Sequence, residues 1–102
     1  MATGPGNALG FSAAKRKLLA ALASGDFQHE VRDAIDVKNV LATGQLSVAE
    51  LVAIIRRANG LEHSTSPHHG DASIMVHVFR TSGWYIKFYF LDPSTVFISV
   101  HQ

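Results

Sequence analysis

Histidine is the side chain that exchanges a proton near neutral pH. Five of the six histidines of this 102-residue chain fall in its last forty residues: His63, His68, His69, His77 and His101. The same stretch closes with GWYIKFYFLDPSTVFISVHQ, residues 83–102, where Tyr85, Lys87, Ser99 and His101 interrupt an apolar sequence. These strands contain no carboxylate to orient a histidine, so a serine-type triad is not indicated. Two imidazoles, an ammonium and a phenol suit cleavage of an RNA phosphodiester instead. There a 2′-hydroxyl loses a proton, a 5′-oxygen gains one, and the crowded phosphorane carries extra negative charge. Histidine performs either transfer, lysine stabilises the charge, and Tyr85, Tyr89 and Phe79 offer stacking surfaces to unpaired bases. That chemistry calls for no metal and no other cofactor.

Such a site exists only if the strands bring these side chains to one face. A five-residue connection after Leu91 sets Leu91 opposite Phe97, Ile98 opposite Phe90, Val100 opposite Phe88, Ser99 opposite Tyr89 and His101 opposite Lys87. A four-residue connection turns His101 inward and Val96, Ile98 and Val100 outward, so burial of the apolar set favours the longer one. At FRTSGW, a three-residue loop Thr81-Ser82-Gly83 sets Phe79 opposite Tyr85 and His77 opposite Lys87. The expectation is a cross-strand row His77–Lys87–His101, with Tyr85, Tyr89 and Ser99 beside it and the helices on the opposite face.

The elements ahead of this sheet read as helices. One is expected from about Ser12 to Ser24 with Gly25 as its stop, its apolar stripe carried by Phe11, Leu18, Leu19 and Leu22. Phe27 to Val31 reads as a short extended piece, followed by a helix through Ile35, Val40 and Leu41 that ends at Gly44. Ser47 and Glu50 form a capping box for a third helix, ended by Asn59-Gly60. LEHSTSPHHGDAS reads as a loop. IMVHVFR, WYIKFYFL and VFISVH then read as strands. Helices first and an antiparallel sheet of at least three strands afterwards imply an α+β fold with helices on one sheet face.

The length fits one domain, assigned to residues 11–102, with residues 1–10 as a flexible lead-in. There is no cysteine, which excludes disulfides, thiolate metal sites and cysteine nucleophiles. No apolar run approaches the roughly 20 residues of a membrane span, and the opening MATGPGNALG lacks the pattern of a signal peptide; a cytoplasmic protein without membrane contact is expected. A net charge of +1 says little about a partner. The basic clusters at Lys15-Arg16-Lys17 and Arg56-Arg57 suit solvated helix faces or a polyanion equally.

WYIKFYFLDPSTVFISVH resembles the C-terminal hairpin of MqsR-type toxins, sequence-specific mRNA interferases of type II toxin–antitoxin systems with a RelE-like α+β fold. Tyr85 matches that family's functional tyrosine, and His101 stands where the family has a terminal-strand lysine. LEHSTSPHH occupies the place of a Y-K-S-M stretch, so His63 falls at a second lysine position. VHVFR parallels a W-Q-D-V-Y-R strand, matching Arg80 and putting His77 beside the family's glutamine. The resemblance covers the last forty residues and the helix order ahead of them. Two lysine positions are histidine here and the tryptophan–glutamine pair is absent, so no cleavage sequence carries over. The resemblance implies an endoribonuclease acting on single-stranded RNA, with an antitoxin protein as partner. His101, His77, Lys87 and Tyr85 are then the candidate catalytic residues. His63, Arg80, Tyr89, Ser99 and His68 are the candidate substrate contacts. Two other readings compete. His63, His68, His69 and Asp71 could ligate a metal, or the aromatic sheet face could bind a protein without catalysis.

Overall fold

The computed structural model of the chain describes residues 10–102; the other residues of the expected lead-in, 1–9, lie outside the described residues. The described chain is α+β: three α-helices and a five-stranded mixed sheet. Helix α1 spans Phe11–Ser24 and buries Ala14, Leu18, Ala21 and Leu22, the spacing of one helical stripe. It starts one residue before the expected Ser12 cap. It stops at Gly25, whose φ of 82° is the left-handed conformation that lets its N–H reach back to Ala21 O. Helix α3, Val48–Arg56, carries the expected capping box, with Glu50 N–H donating to Ser47 Oγ at 3.1 Å and Ser47 N–H to Glu50 Oε1 at 2.8 Å. The two helices are tied end to side. Lys15 Nζ donates to Arg56 O and Ala58 O at 2.8 and 2.9 Å, so one cation of the basic cluster neutralises the negative end of α3. Lys17 pairs with Asp92 and lies over the Phe90 ring. These contacts account for two of the three clustered cations without a polyanion.

Between the long helices the expected helix to Gly44 shrinks to one turn, α2, Ile35–Lys38. Asn39 leaves helical geometry at φ −144°, forms a bridge to Val100 and is fully buried, its side chain bonded to His29 Nδ1 and to the Ala42 N–H. The strands are β1 (Phe27–His29), β2 (His63–Pro67), β3 (Met75–Thr81), β4 (Trp84–Leu91) and β5 (Ser94–His101), in the order β1-β5-β4-β3-β2. Two features depart from the expected antiparallel sheet. β1 runs parallel to β5, and the stretch read as a loop supplies β2, an edge strand paired with β3. Thr65 aside, the residues of β2 are weak strand signals, and β2 forms because β3 offers it an unpaired edge.

Phe79, Ile86, Phe88, Phe97 and Val100 point from the sheet into a core shared with Leu18, Leu22, Leu51 and Ile55. The register that achieves this differs from the expected one at both bends. The β3–β4 turn has two residues, Ser82 and Gly83, with φ of 53° and 79°. Positive φ at both central positions is the type I′ requirement, and its twist matches paired strands. Arg80 therefore opposes Tyr85, Phe79 opposes Ile86, Val78 opposes Lys87 and His77 opposes Phe88. The one-residue difference from a three-residue loop turns His77 and Phe79 into the helix-covered face. At the other bend Leu91 opposes Ser94, and a bulge follows between Lys87 and Phe88. His101 consequently opposes Tyr85, not Lys87, and Ser99 opposes Lys87, not Tyr89. The expected row His77–Lys87–His101 does not form.

Candidate active site on the open sheet face

The face away from α1 and α3 carries Tyr85, Lys87 and Tyr89 at alternate positions of β4, with His101 and Ser99 beside them on β5 and Arg80 on β3. Its first row crosses three strands. The Arg80 guanidinium lies 5.1 Å from the centre of the Tyr85 ring, and the His101 ring stacks on Tyr85 from the β5 side at 5.2 Å and 28°. His101 Nδ1 is 3.0 Å from the main-chain oxygen of Gln102. Because that oxygen only accepts, Nδ1 carries a proton, and in the neutral ring Nε2 is the nitrogen left with a lone pair.

The second row is Lys87 and Ser99, one two-residue step along β4, or roughly 7 Å. Ser99 is buried, and its hydroxyl accepts from Arg32 Nη1 at 2.6 Å; the same nitrogen donates to Ile98 O at 3.0 Å. Arg32 thus straps the segment following β1 across this face. Its Nε, also buried, has no hydrogen-bond partner among the described residues.

At the third row, Tyr89 OH donates to Glu30 Oε2 at 3.1 Å, and His68 Nε2 lies 3.2 Å from the same oxygen. Desolvation first, and then the Glu30 carboxylate, push the Tyr89 hydroxyl pKa up, so it remains a donor. Gly70 N–H donates to His68 Nδ1 at 2.9 Å. An Nδ1 that accepts leaves the ring proton on Nε2, where it donates to Glu30; both nitrogens of His68 are committed. A cleft of about 550 Å³ lies beside the second row, lined by Glu30, Val31, Arg32, Asp33, His69, Lys87 and Ile98; His101 lines a different cleft, with Asp36, Val37 and Trp84.

Of the residues singled out from the sequence, Arg80, Tyr85, Lys87, Tyr89, Ser99 and His101 come together on this face, and His68 joins them at its rim. His77 and His63 do not. His77 is 2% exposed, stacked on Phe88 at 5.4 Å, with its Nδ1 3.0 Å from His63 Nε2. His63 packs against Phe11 and Phe79 on the same helix-covered side. Burial pushes the pKa of both imidazoles down, His77 to about 4 with the nearby charges of His63 and Lys17 adding to the effect. Phe79 is fully buried and offers no stacking surface to a base. The proposed metal loop also separates: His63 pairs with His77, Asp71 accepts from Ser73, and no three His, Asp or Glu side chains among the described residues form a ligand set.

Glu30 and Arg32 were missed by the sequence reading. Their signal is HEVRD: in extended chain beyond β1, positions 30 and 32 fall on one side. Only the parallel pairing of β1 with β5, continued by Glu30 N–H to Phe97 O at 2.8 Å, brings that side over Ser99 and Tyr89.

Comparison of the chain with protein-family models, with curated proteins and with solved structures found no match in any of the three. Among the described residues, no helix is long and apolar enough to cross a membrane.

Proposed function

We propose that this chain is a metal-independent endoribonuclease for single-stranded RNA, of the RelE-like, MqsR-like toxin type, working on the open sheet face. The observation that carries the reading is the Arg80–Tyr85–His101 row with Lys87 one step away. His101 Nε2 takes the proton of a 2′-hydroxyl as O2′ attacks phosphorus. Arg80 and Lys87 hold the phosphate and the charge that develops on it. Tyr85, already sandwiched between a cation and an imidazole, fixes both and presents its hydroxyl to the phosphate. The P–O5′ bond then breaks and the 5′-oxygen takes up a proton. The resemblance of the terminal hairpin to MqsR-type toxins supports the same reading, and carries with it an antitoxin partner that covers this face.

The test is cleavage of a single-stranded RNA in the presence of a chelator by the wild type and by His101→Ala. Loss of a positioned base costs roughly 10²–10⁴-fold, so the variant is expected to be at least a hundredfold slower. Intact RNA after incubation with pure wild-type protein refutes the reading.

A further inference from the structure

We infer that His69 is the general acid of this site, giving its proton to the leaving 5′-oxygen while His101 accepts the 2′-proton across Lys87. The inference rests on the ribonuclease reading above and supplies the group that reading lacks. With His77 in the core, the second proton transfer needs another donor, and imidazole is the side chain whose ordinary titration lies near neutral pH. Most of the imidazoles are already engaged. His29 bonds the buried Asn39, His63 and His77 hold each other, and His68 uses Nδ1 for Gly70 N–H and Nε2 for Glu30. His69 is exposed, and it is the imidazole that lines the cleft with Lys87 and Arg32.

Its position is set by its neighbour. The His69 ring stacks on His68 at 4.9 Å and 12°, and His68 is fixed from three sides by Glu30, Gly70 N–H and the edge-on Tyr89 ring at 5.1 Å. The apparent structural cluster is thus the mount for a free imidazole. Along β4 the order is then Tyr85 with His101, Lys87 with Arg32 above it, and Tyr89 with His68 and His69. This order places Lys87 between the two imidazoles along β4. The step balances: O2′–P forms, P–O5′ breaks, His101 gains the 2′-proton, His69 loses one to O5′, and a cyclic phosphate and a 5′-hydroxyl result. The charged and titratable groups facing His69 are Glu30, Arg32, Asp33, Lys87 and the stacked His68.

The test uses two single-stranded substrates, one normal and one with sulfur in place of the bridging 5′-oxygen, a leaving group that departs without protonation. His69→Ala is expected to cut the normal substrate at least a hundredfold more slowly, the cost of a lost general acid, and the sulfur substrate within about tenfold of wild type. His101→Ala is expected to be slow on both. The alkaline fall of the wild-type pH–rate profile should vanish in His69→Ala, and His69→Gln should behave like His69→Ala. If His69→Ala cleaves the normal substrate within about threefold of wild type, or slows both substrates equally, the inference is overturned. In those cases the ribonuclease reading stands as long as His101→Ala is impaired. A wild type that cleaves neither substrate removes both.

Discussion

The buried His77 offers a quantitative test of the packing. Its ring lies nearly parallel to Phe88 (14°) and beside Phe90 in the helix-covered core, with His63 as its polar partner. Burial holds its pKa at about 4, against an ordinary value of 6.5 in the unfolded chain. Between those values the unfolded chain binds a proton that the folded chain does not, so acid favours unfolding: stability is intact above pH 6.5 and falls as pH drops toward 4. The whole gap corresponds to about 3 kcal/mol, and at pH 5 the loss from this residue alone is about 2 kcal/mol relative to pH 7.5. For a domain of this size that is a fall of roughly 10 °C in Tm. His77→Phe keeps an aromatic ring against Phe88 and removes the titration, and half-exposed His63 can turn its freed nitrogen to water. Chemical denaturation of wild type and variant at pH 7.5 and pH 5 isolates the contribution, because the shifts of His29 and His63 are common to both. The wild type should lose about 2 kcal/mol more than the variant on going to pH 5. Parallel losses would mean that His77 does not sit neutral in the core, and the register of β3 against β4 would be wrong with it.

The other expectations are shorter. His77→Phe should cleave RNA like the wild type if the open face is the site, in contrast to His101→Ala. Ser47→Ala removes an acceptor from the first turn of α3 and should cost about 1 kcal/mol in urea denaturation; the Ser47 main-chain and side-chain bonds also hold the Glu50 pKa down. Gly83→Ala meets no atom within 4 Å, so its cost is purely the positive φ of 79°, about 1–2 kcal/mol. An unchanged denaturation midpoint there would argue against the type I′ turn.

Much of the helical layer was legible because its signals are local. Gly25 and the Ser47–Glu50 pair act within one turn of themselves, and the stripe of Leu18 and Leu22 follows from a period of 3.6 residues. The losses occurred where a partner from elsewhere decides the outcome. A helix from Ile35 to Gly44 is reasonable from apolar spacing, yet Val40 N–H bonds to Val100 O and Asn39 is drawn alongside β5 as a bridge partner of Val100, ending α2 after one turn. β2 has almost no strand composition and exists through its pairing with β3. Glu30 and Arg32 belong to the site only because a parallel strand, formed across more than sixty intervening residues, lays them over β5.

The two hairpins show why one face assignment survived a wrong register and the other did not. Side-chain direction along a strand pair depends only on whether the residue offset is odd or even. At the second bend the connection is shorter than expected, which by itself turns His101 and Ser99 inward. The bulge around Ile98 then adds one residue on β5 and restores the parity, so Phe97 and Val100 both reach the core from opposite sides of the irregularity while Ser99 and His101 return to the open face. At the first bend the difference is a single residue with nothing to offset it, and His77 turns inward. Apolar burial drives both results. Phe97 and Val100 are three residues apart, a spacing a regular strand cannot bury on one face. Burying both therefore takes a bulge between them, and in this chain that bulge, more than either turn, decides that the terminal imidazole faces the same side as Lys87.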